Sequence, residues 1–502
     1  TMKLVYENKL SCENDVKDFV LEGSAEIYFE NGKMRMKNAL SADLGQKSNF
    51  VYWCNEDFPS DVQIEWEFRP IEEPGLAILF FSAKGVNGED LFDPSLQERD
   101  GQYNLYHSGD INAYHVSYFR RKWDEERGFH TCNLRKSKGF HLVVQGADPI
   151  PNCEDAFESY HIKLVKKDGK IDLSSVGISP EEFAQYHRIC IVACGSAYHV
   201  GIAAKYVMED LTGLMVDVDF ASEFRYRNPK LSKDTLVVII SQSGETADSL
   251  AALRLTKEMG VKTLAIVNVV GSSIAREADH VMYTLAGPEI AVATTKAYST
   301  QLICMYILSM YAAQVRGEIE ESTLGNMLKE IVLLPEKVAS ILADKERIQW
   351  FANKFASAHD VFFIGRGLDY AICQEGSLKM KEVSYVHSEA YAAGELKHGT
   401  ISLIEDGTLV IGVLTQSHLC EKTLSNMQEV KSRGAYLMGV AENGSYYLED
   451  MVDFVVYVPK TDPHFTTTLA IIPLQLMGYY VSVARGLDVD KPRNLAKSVT
   501  VE

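Results

Sequence analysis

The sequence is poor in the marks that would place a chain in a membrane, on a nucleic acid or in a disulfide scaffold. No run reaches the roughly 18 apolar residues needed to span a bilayer. The opening Thr1-Met2-Lys3-Leu4-Val5-Tyr6-Glu7-Asn8 lacks an apolar signal core, so a cytoplasmic protein with no membrane partner is expected. Basic residues are in deficit: 50 Lys and Arg against 69 Asp and Glu give a net charge of −19, which disfavours nucleic acid as a partner. The 9 cysteines show neither CxxC nor Cys/His zinc spacing, so they read as buried free thiols in a reducing compartment, with no metal site. There is no Walker A pattern, and Gly365-Arg366-Gly367 lacks the third glycine of a dinucleotide fingerprint because Tyr370 stands there. No nucleotide cofactor is expected.

What is present divides in two. Over residues 1–171, Val62, Ile64, Trp66 and Phe68 alternate with Gln63, Glu65 and Glu67, and Tyr114, Val116 and Tyr118 alternate with His115, Ser117 and Phe119. That is the period of half-buried strands, and Pro74-Gly75 and Asn87-Gly88 supply turns, so the region reads as an antiparallel β-sandwich or jelly roll. From Arg188 onward short β-branched strands alternate with longer helical stretches, the pattern of parallel βαβ units.

This α/β region repeats itself. Ile189-Cys190-Ile191-Val192-Ala193-Cys194-Gly195-Ser196 resembles Val361-Phe362-Phe363-Ile364-Gly365-Arg366-Gly367, and Leu236–Ser243 resembles Leu409–Ser417, so two copies of one fold are predicted. The expected division is a sandwich at 1–171, a linker at 172–187, a first α/β domain at 188–320, a helical connector at 321–350, a second α/β domain at 351–485, and a tail at 486–502.

Between a buried strand and a helix, the first copy reads Ser241-Gln242-Ser243-Gly244-Glu245-Thr246. Hydroxyls, a glycine that permits close approach and free N–H groups at a helix start make an anion cradle suited to a phosphorylated small molecule. The second copy reads Thr415-Gln416-Ser417-His418-Leu419-Cys420; it has lost the glycine and the closing threonine, so the phosphate is assigned to the first. Glu375, Lys379 and Glu382 fall at i, i+4 and i+7, on one face of a helix. They read either as a surface salt-bridge ladder or as a proton-transfer group, with Glu382 as acid/base and Lys379 tuning it. His398 follows in a loop of small residues, and Lys497 lies in a charged tail where a lysine is ordinarily solvated but, if desolvated, attacks ketones.

From about Asp168 to Glu502 the chain resembles the isomerase half of the glucosamine-6-phosphate synthase family, glutamine:fructose-6-phosphate amidotransferases built from two sugar-isomerase (SIS) domains. Ala221-Ser222-Glu223-Phe224-Arg225-Tyr226-Arg227, the loop 241–246, Glu389-Ala390-Tyr391-Ala392-Ala393-Gly394-Glu395-Leu396-Lys397-His398-Gly399 and the tail from Asp488 carry the likeness. It implies that Ser241, Gln242, Ser243 and Thr246, helped by Ser196, bind the phosphate of fructose 6-phosphate or glucosamine 6-phosphate, while Val292, Thr294 and Ala496 line the sugar hydroxyls. It further implies a Schiff base on Lys497, proton transfer by Glu382 beside Lys379, and ring opening by His398 supplied across a homodimer interface. No cofactor is implied. Ala197 and Thr294 depart from the family pattern, which has a hydroxyl residue and a serine there.

The family's amino-terminal glutaminase, with its nucleophilic cysteine, is not matched; the first cysteine is Cys12, and glutamine hydrolysis is not expected, so ammonia would come from a separate source. In its place stands the sandwich. With Gly101-Gln102-Tyr103-Asn104-Leu105-Tyr106 and Asn112-Ala113-Tyr114-His115-Val116-Ser117-Tyr118, it resembles a bacterial concanavalin-like family of unassigned function. Trp53, Tyr106 and Trp123 are candidates for stacking on sugars. Lys167-Asp168-Gly169-Lys170-Ile171 suits both families, so the chain reads as a fusion at a shared short stretch, with Asp168-Gly169 as a hairpin turn. A fusion so joined is expected to be cut between 172 and 182 and to leave a folded core from 188 onward. Isomerisation to glucose 6-phosphate alone, a sugar-phosphate-responsive binding protein, and a glycan-binding sandwich carrying an SIS unit are the competing readings.

Overall fold

The computed structural model describes residues 3–128, 130–166 and 169–500. The hairpin turn expected at Asp168-Gly169 rests on Lys167 and Asp168, which lie outside the described residues. Two compact units divide the chain, 1–168 and 169–502.

The first unit is antiparallel throughout its described strands: β1 (Val20–Gly23), β2 (Ala25–Glu30), β3 (Lys33–Asn38), β4 (Phe50–Trp53), β5 (Val62–Phe68), β6 (Gly75–Gly85), β7 (Ile111–Arg121), β8 (Thr131–Ser137), β9 (His141–Ala147) and β10 (Tyr160–Lys166). One sheet runs β6-β7-β8-β9, and β1-β4, β2-β3 and β5-β10 form pairs. The alternation in β7 is present, but the more deeply buried face is Ala113, His115, Ser117 and Phe119 rather than Tyr114, Val116 and Tyr118. His115 is held there because Tyr103 Oη lies 2.7 Å from its Nε2, which satisfies a polar group that burial alone would penalise. Two of the three aromatic candidates are core. Trp53 and Tyr106 are buried against Ile111, and Tyr106 donates to Glu22 at 2.8 Å; only Trp123 is exposed.

The second unit contains the duplication. Strands β11 (Arg188–Ala193), β12 (Met215–Phe220), β13 (Thr235–Ser241), β14 (Lys262–Val267) and β15 (His280–Tyr283) form a parallel sheet in the order β12-β11-β13-β14-β15. β16 (Asp360–Gly365), β17 (His387–Ala392), β18 (Leu409–Leu414), β19 (Tyr436–Glu442) and β20 (Phe454–Val458) repeat that order as β17-β16-β18-β19-β20. Every residue of β13 and β18 is buried, as expected of central parallel strands covered by helices on both faces. In each sheet the strand order reverses at the first strand, and a ligand belongs at the carboxyl ends of the strands beside that reversal.

Two expectations change. Residues 172–187, read as a linker, are built into the α/β core: Ile178 and Phe183 are fully buried, Leu173 and Tyr186 nearly so, and Gln314 bonds the backbone of Ile171 in both directions, at 2.7 and 2.8 Å. Apolar residues were spaced too irregularly there to announce a buried segment. In addition, one helix, Pro463–Ala484, is long and apolar enough to cross a membrane, which scanning for unbroken apolar runs missed. Its apolarity has a local cause, since 72% of that window is buried as the central helix of the second copy.

Candidate functional site

The cradle forms at the reversal of the first sheet. β13 ends at Ser241, the helix Ala247–Glu258 begins six residues later, and the loop between them folds on its own hydroxyls. Ser241 Oγ accepts from the N–H of Gly244 at 3.0 Å and lies 3.0 Å from Thr246 Oγ1, while Ser243 Oγ accepts from the N–H of Glu245 at 3.2 Å. Gly244 is required twice over: its φ is 66°, and a Cβ there would lie 2.0 Å from Ser272 Oγ. Ser196 sits at the start of the helix Gly195–Thr212, after the neighbouring strand β11. Three hydroxyls, of Ser241, Ser243 and Thr246, therefore gather in the loop after β13, and Ser196 follows the adjacent strand β11.

The same loop in the second copy is closed by a side chain. At the place that Ala197 holds in the first copy stands Asp369, whose carboxylate accepts from the N–H groups of Thr415 and Gln416 at 3.0 and 3.2 Å and from the Thr415 hydroxyl. An internal carboxylate thus takes the backbone donors that a phosphate would need. Burial pushes the Asp369 carboxyl up to about 6, although those three donors pull it down.

The charged face of the helix Leu368–Ser384 is not a surface ladder. Glu375 and Lys379 are 0% and 2% exposed. Lys379 Nζ lies 3.4 Å from Glu375 Oε1 and donates to Glu382, whose side chain is 22% exposed. Burial opposes a charge on Lys379, but the two carboxylates outweigh it and hold the ammonium above its ordinary range. Glu375 is kept ionised against burial by Lys379 and by His199.

The tail docks on the first copy. Asp490 accepts from the N–H of Val292 at 2.9 Å, Val499 accepts from the N–H of Ala247 at 3.0 Å, and Ser498 Oγ lies 3.1 Å from Ser243 Oγ. Lys497, between these anchors, donates to the carbonyl of Ala291 at 2.5 Å. Its amine is lowered from the ordinary lysine range, first by burial and also by the charges of Lys379 and Lys296, with Glu289 and Glu382 pulling the other way. Lys497 is accordingly close enough to Lys379 and Glu382 to feel their charges.

The structure thus gathers Ser241, Ser243, Thr246, Lys497, Lys379 and Glu382, with Val292 beside the tail. Gln242 supports the loop by accepting from the N–H of Asn268 at 3.2 Å, and Thr294 lies in the same loop as Val292. Ala496 is exposed and adjoins Lys497. His398 is exposed in the turn Leu396–His398, and its described bond is a backbone one to Glu395. Sequence reasoning missed His199 and Ser498, whose partners lie 176 and 255 residues away. Among the described residues no group of three or more His, Cys, Asp or Glu is placed to hold a metal.

Residues 182–311 and 354–485 match the SIS domain, and residues 3–196 match a domain of unknown function (DUF1961). The chain is 54% identical over 387 residues to the glutamine–fructose-6-phosphate aminotransferase (isomerizing) of Caldanaerobacter subterraneus, covering 77% of this chain and 62% of that protein. It is 54% identical over 339 residues to the same-named protein of Clostridium tetani, covering 68% of this chain and 55% of that one. The chain therefore spans little more than half the length of these curated relatives. Among solved structures, the C-terminal domain of glucosamine-fructose-6-phosphate aminotransferase from Francisella tularensis aligns with a TM-score of 0.62 and 37% identity, over 64% of this chain and 91% of that one. The chain belongs to the SIS-domain family, its two α/β copies corresponding to the isomerase half of the glutamine–fructose-6-phosphate aminotransferases.

Proposed function

We propose that the α/β half binds open-chain fructose 6-phosphate and rearranges it between ketose and aldose through Lys497 and Glu382, forming glucosamine 6-phosphate when ammonia is supplied from outside these residues. The observation that carries this reading is the junction of tail and cradle. Ser498 meets Ser243 while its neighbour Lys497 lies within electrostatic reach of the Lys379–Glu382 pair, so a phosphate held at one end leaves the sugar's first carbons near the amine.

The chemistry follows from those groups. Lys497, lowered by burial, supplies a neutral amine more readily than a solvated lysine. Its nitrogen adds to C2, water leaves, and an iminium results. Ammonia then adds at C2 and displaces the lysine. Glu382 takes a proton from C1 and returns one to C2 while the O1 proton passes to nitrogen, leaving an aldehyde at C1 and an amine at C2. Without ammonia, the same transfer on the ketone gives glucose 6-phosphate through an enediol. His398 opens the sugar ring from a second copy of the chain, and its exposed position supports supply across a homodimer interface. The setting is cytoplasmic, where the sugar phosphate is available.

The test is a coupled assay on the purified chain. Fructose 6-phosphate is expected to yield glucose 6-phosphate, and glucosamine 6-phosphate as well when ammonium is added. Tight binding with neither product would favour the sugar-phosphate-responsive regulator instead.

A further inference from the structure

The hydrogen bonds behind Glu382 lead to a histidine of the other copy. His199 lies one turn beyond Ser196 on the helix Gly195–Thr212, and its Nδ1 is 2.8 Å from Oε2 of Glu375. A carboxylate in that contact can only accept, so the Nδ1 carries the proton. Glu375 is 0% exposed and the His199 side chain 15%, and a carboxylate so buried persists only when paired and hydrogen-bonded.

Its other oxygen faces Lys379, which is also the partner of Glu382. One ammonium is thus shared between two carboxylates. How far its charge leans toward Glu382 depends on how well Glu375 is satisfied by other groups. On the first copy these are His199 and the hydroxyl of Ser196. Other groups facing this cluster are Tyr198, whose ring meets that of His199 edge-on at 5.8 Å, Tyr298, a fully buried phenol near Glu375, and Lys497, whose charge is of the same sign as that of Lys379 and repels it.

We propose that His199 is a positioning residue for proton transfer: by holding Glu375 from the opposite copy, it leaves the charge of Lys379 to Glu382. The inference rests on the reading of Glu382 as the proton carrier. His199 touches neither the sugar nor the reacting atoms. It ties the copy that carries the cradle to the copy that carries the base, and Ser196, one turn before it, bonds the same Glu375.

The test uses the full chain, with conversion of fructose 6-phosphate followed across a pH series for wild type, His199→Ala and His199→Asn. In His199→Ala, Lys379 is drawn to Glu375 and Glu382 loses its neighbouring cation. Proton transfer is then expected to slow, kcat falling about tenfold while KM stays within about twofold. Asn places an N–H donor where Nδ1 stands, so His199→Asn is expected to return kcat to its wild-type value. Should His199→Ala fail to fold, as judged by thermal melting, His199→Gln, which keeps the bulk but displaces the donor, is expected to lower kcat part of the way with KM unchanged.

An unchanged kcat in the folded variants lacking the donor, or a loss confined to KM that Asn does not rescue, would overturn the proposal. Glu382→Gln separates the two levels. If it is inactive while His199→Ala behaves as wild type, only the role of His199 falls; if it turns over as wild type, the reading of Glu382 falls as well.

Discussion

Ser243 of the cradle and Ser498 of the tail face one another with their Oγ atoms 3.1 Å apart. They belong to opposite ends of the α/β half, and the contact brings the anion-binding loop and the residue next to Lys497 into one wall. Phosphate binding and amine chemistry thereby share a structural element. Ser498→Ala is expected to leave the fold intact but raise KM about three- to tenfold, the scale of one hydrogen bond between neutral groups, here the contact that orients the Ser243 hydroxyl. Steady-state kinetics beside an unchanged melting curve would check it.

The two copies are expected to bind unequally. Ser243→Ala and Thr246→Val should each weaken sugar-phosphate affinity by about one to two decades, the worth of a hydrogen bond to a charged group, whereas His418→Ala should change little. Calorimetry with fructose 6-phosphate measures both. The reason for the inequality is Asp369, which already occupies the donors of the second loop.

Asp369 also makes a pH prediction. Its folded value of about 6 lies above the ordinary 3.8, so the folded state favours the protonated carboxyl. The stability it contributes is complete below the unfolded value and is lost as pH rises through the folded one. Wild type is accordingly expected to lose up to roughly 3 kcal/mol relative to Asp369→Asn between those two values, at about 1.36 kcal/mol per pKa unit. Paired denaturation curves along that pH range would show a gap that narrows as pH rises; a constant gap would contradict it.

The placement of residues 172–187 bears on truncation. A chain starting at 188 loses Leu173, Ile178, Phe183 and Tyr186 from the core, each burial being worth about 1.5 to 3 kcal/mol. It is expected to be insoluble or to melt far below a chain starting at 169, and limited proteolysis is expected to spare 172–187. Expression of the two truncations side by side settles which boundary is right.

The legible parts of this molecule were the local ones. The cradle was readable because strand, glycine, hydroxyls and helix start are contiguous, and the duplicated sheet because its two copies kept the same strand spacing. Long-range partners left no mark: nothing in Gly195-Ser196-Ala197-Tyr198-His199 names Glu375, and nothing in the tail names Ser243. Asp369 showed in sequence only as one acid in a helix, since its role depends on the Thr415 N–H lying across a strand end. Aromatic residues misled for a related reason. Trp53 and Tyr106 are as suited to a core as to a sugar face, and Tyr106 is buried with its hydroxyl satisfied by Glu22.

The central claim, that Lys497 forms a Schiff base with the sugar ketone, is tested most directly by borohydride trapping followed by peptide mass spectrometry. Wild type incubated with fructose 6-phosphate and borohydride is expected to carry one hexose-phosphate adduct on the peptide containing Lys497. Lys497→Ala is expected to carry none, and Lys379→Ala to keep its adduct on Lys497. An equal yield from Lys497→Ala, or an adduct mapped to Lys379 in the wild type, would contradict the account.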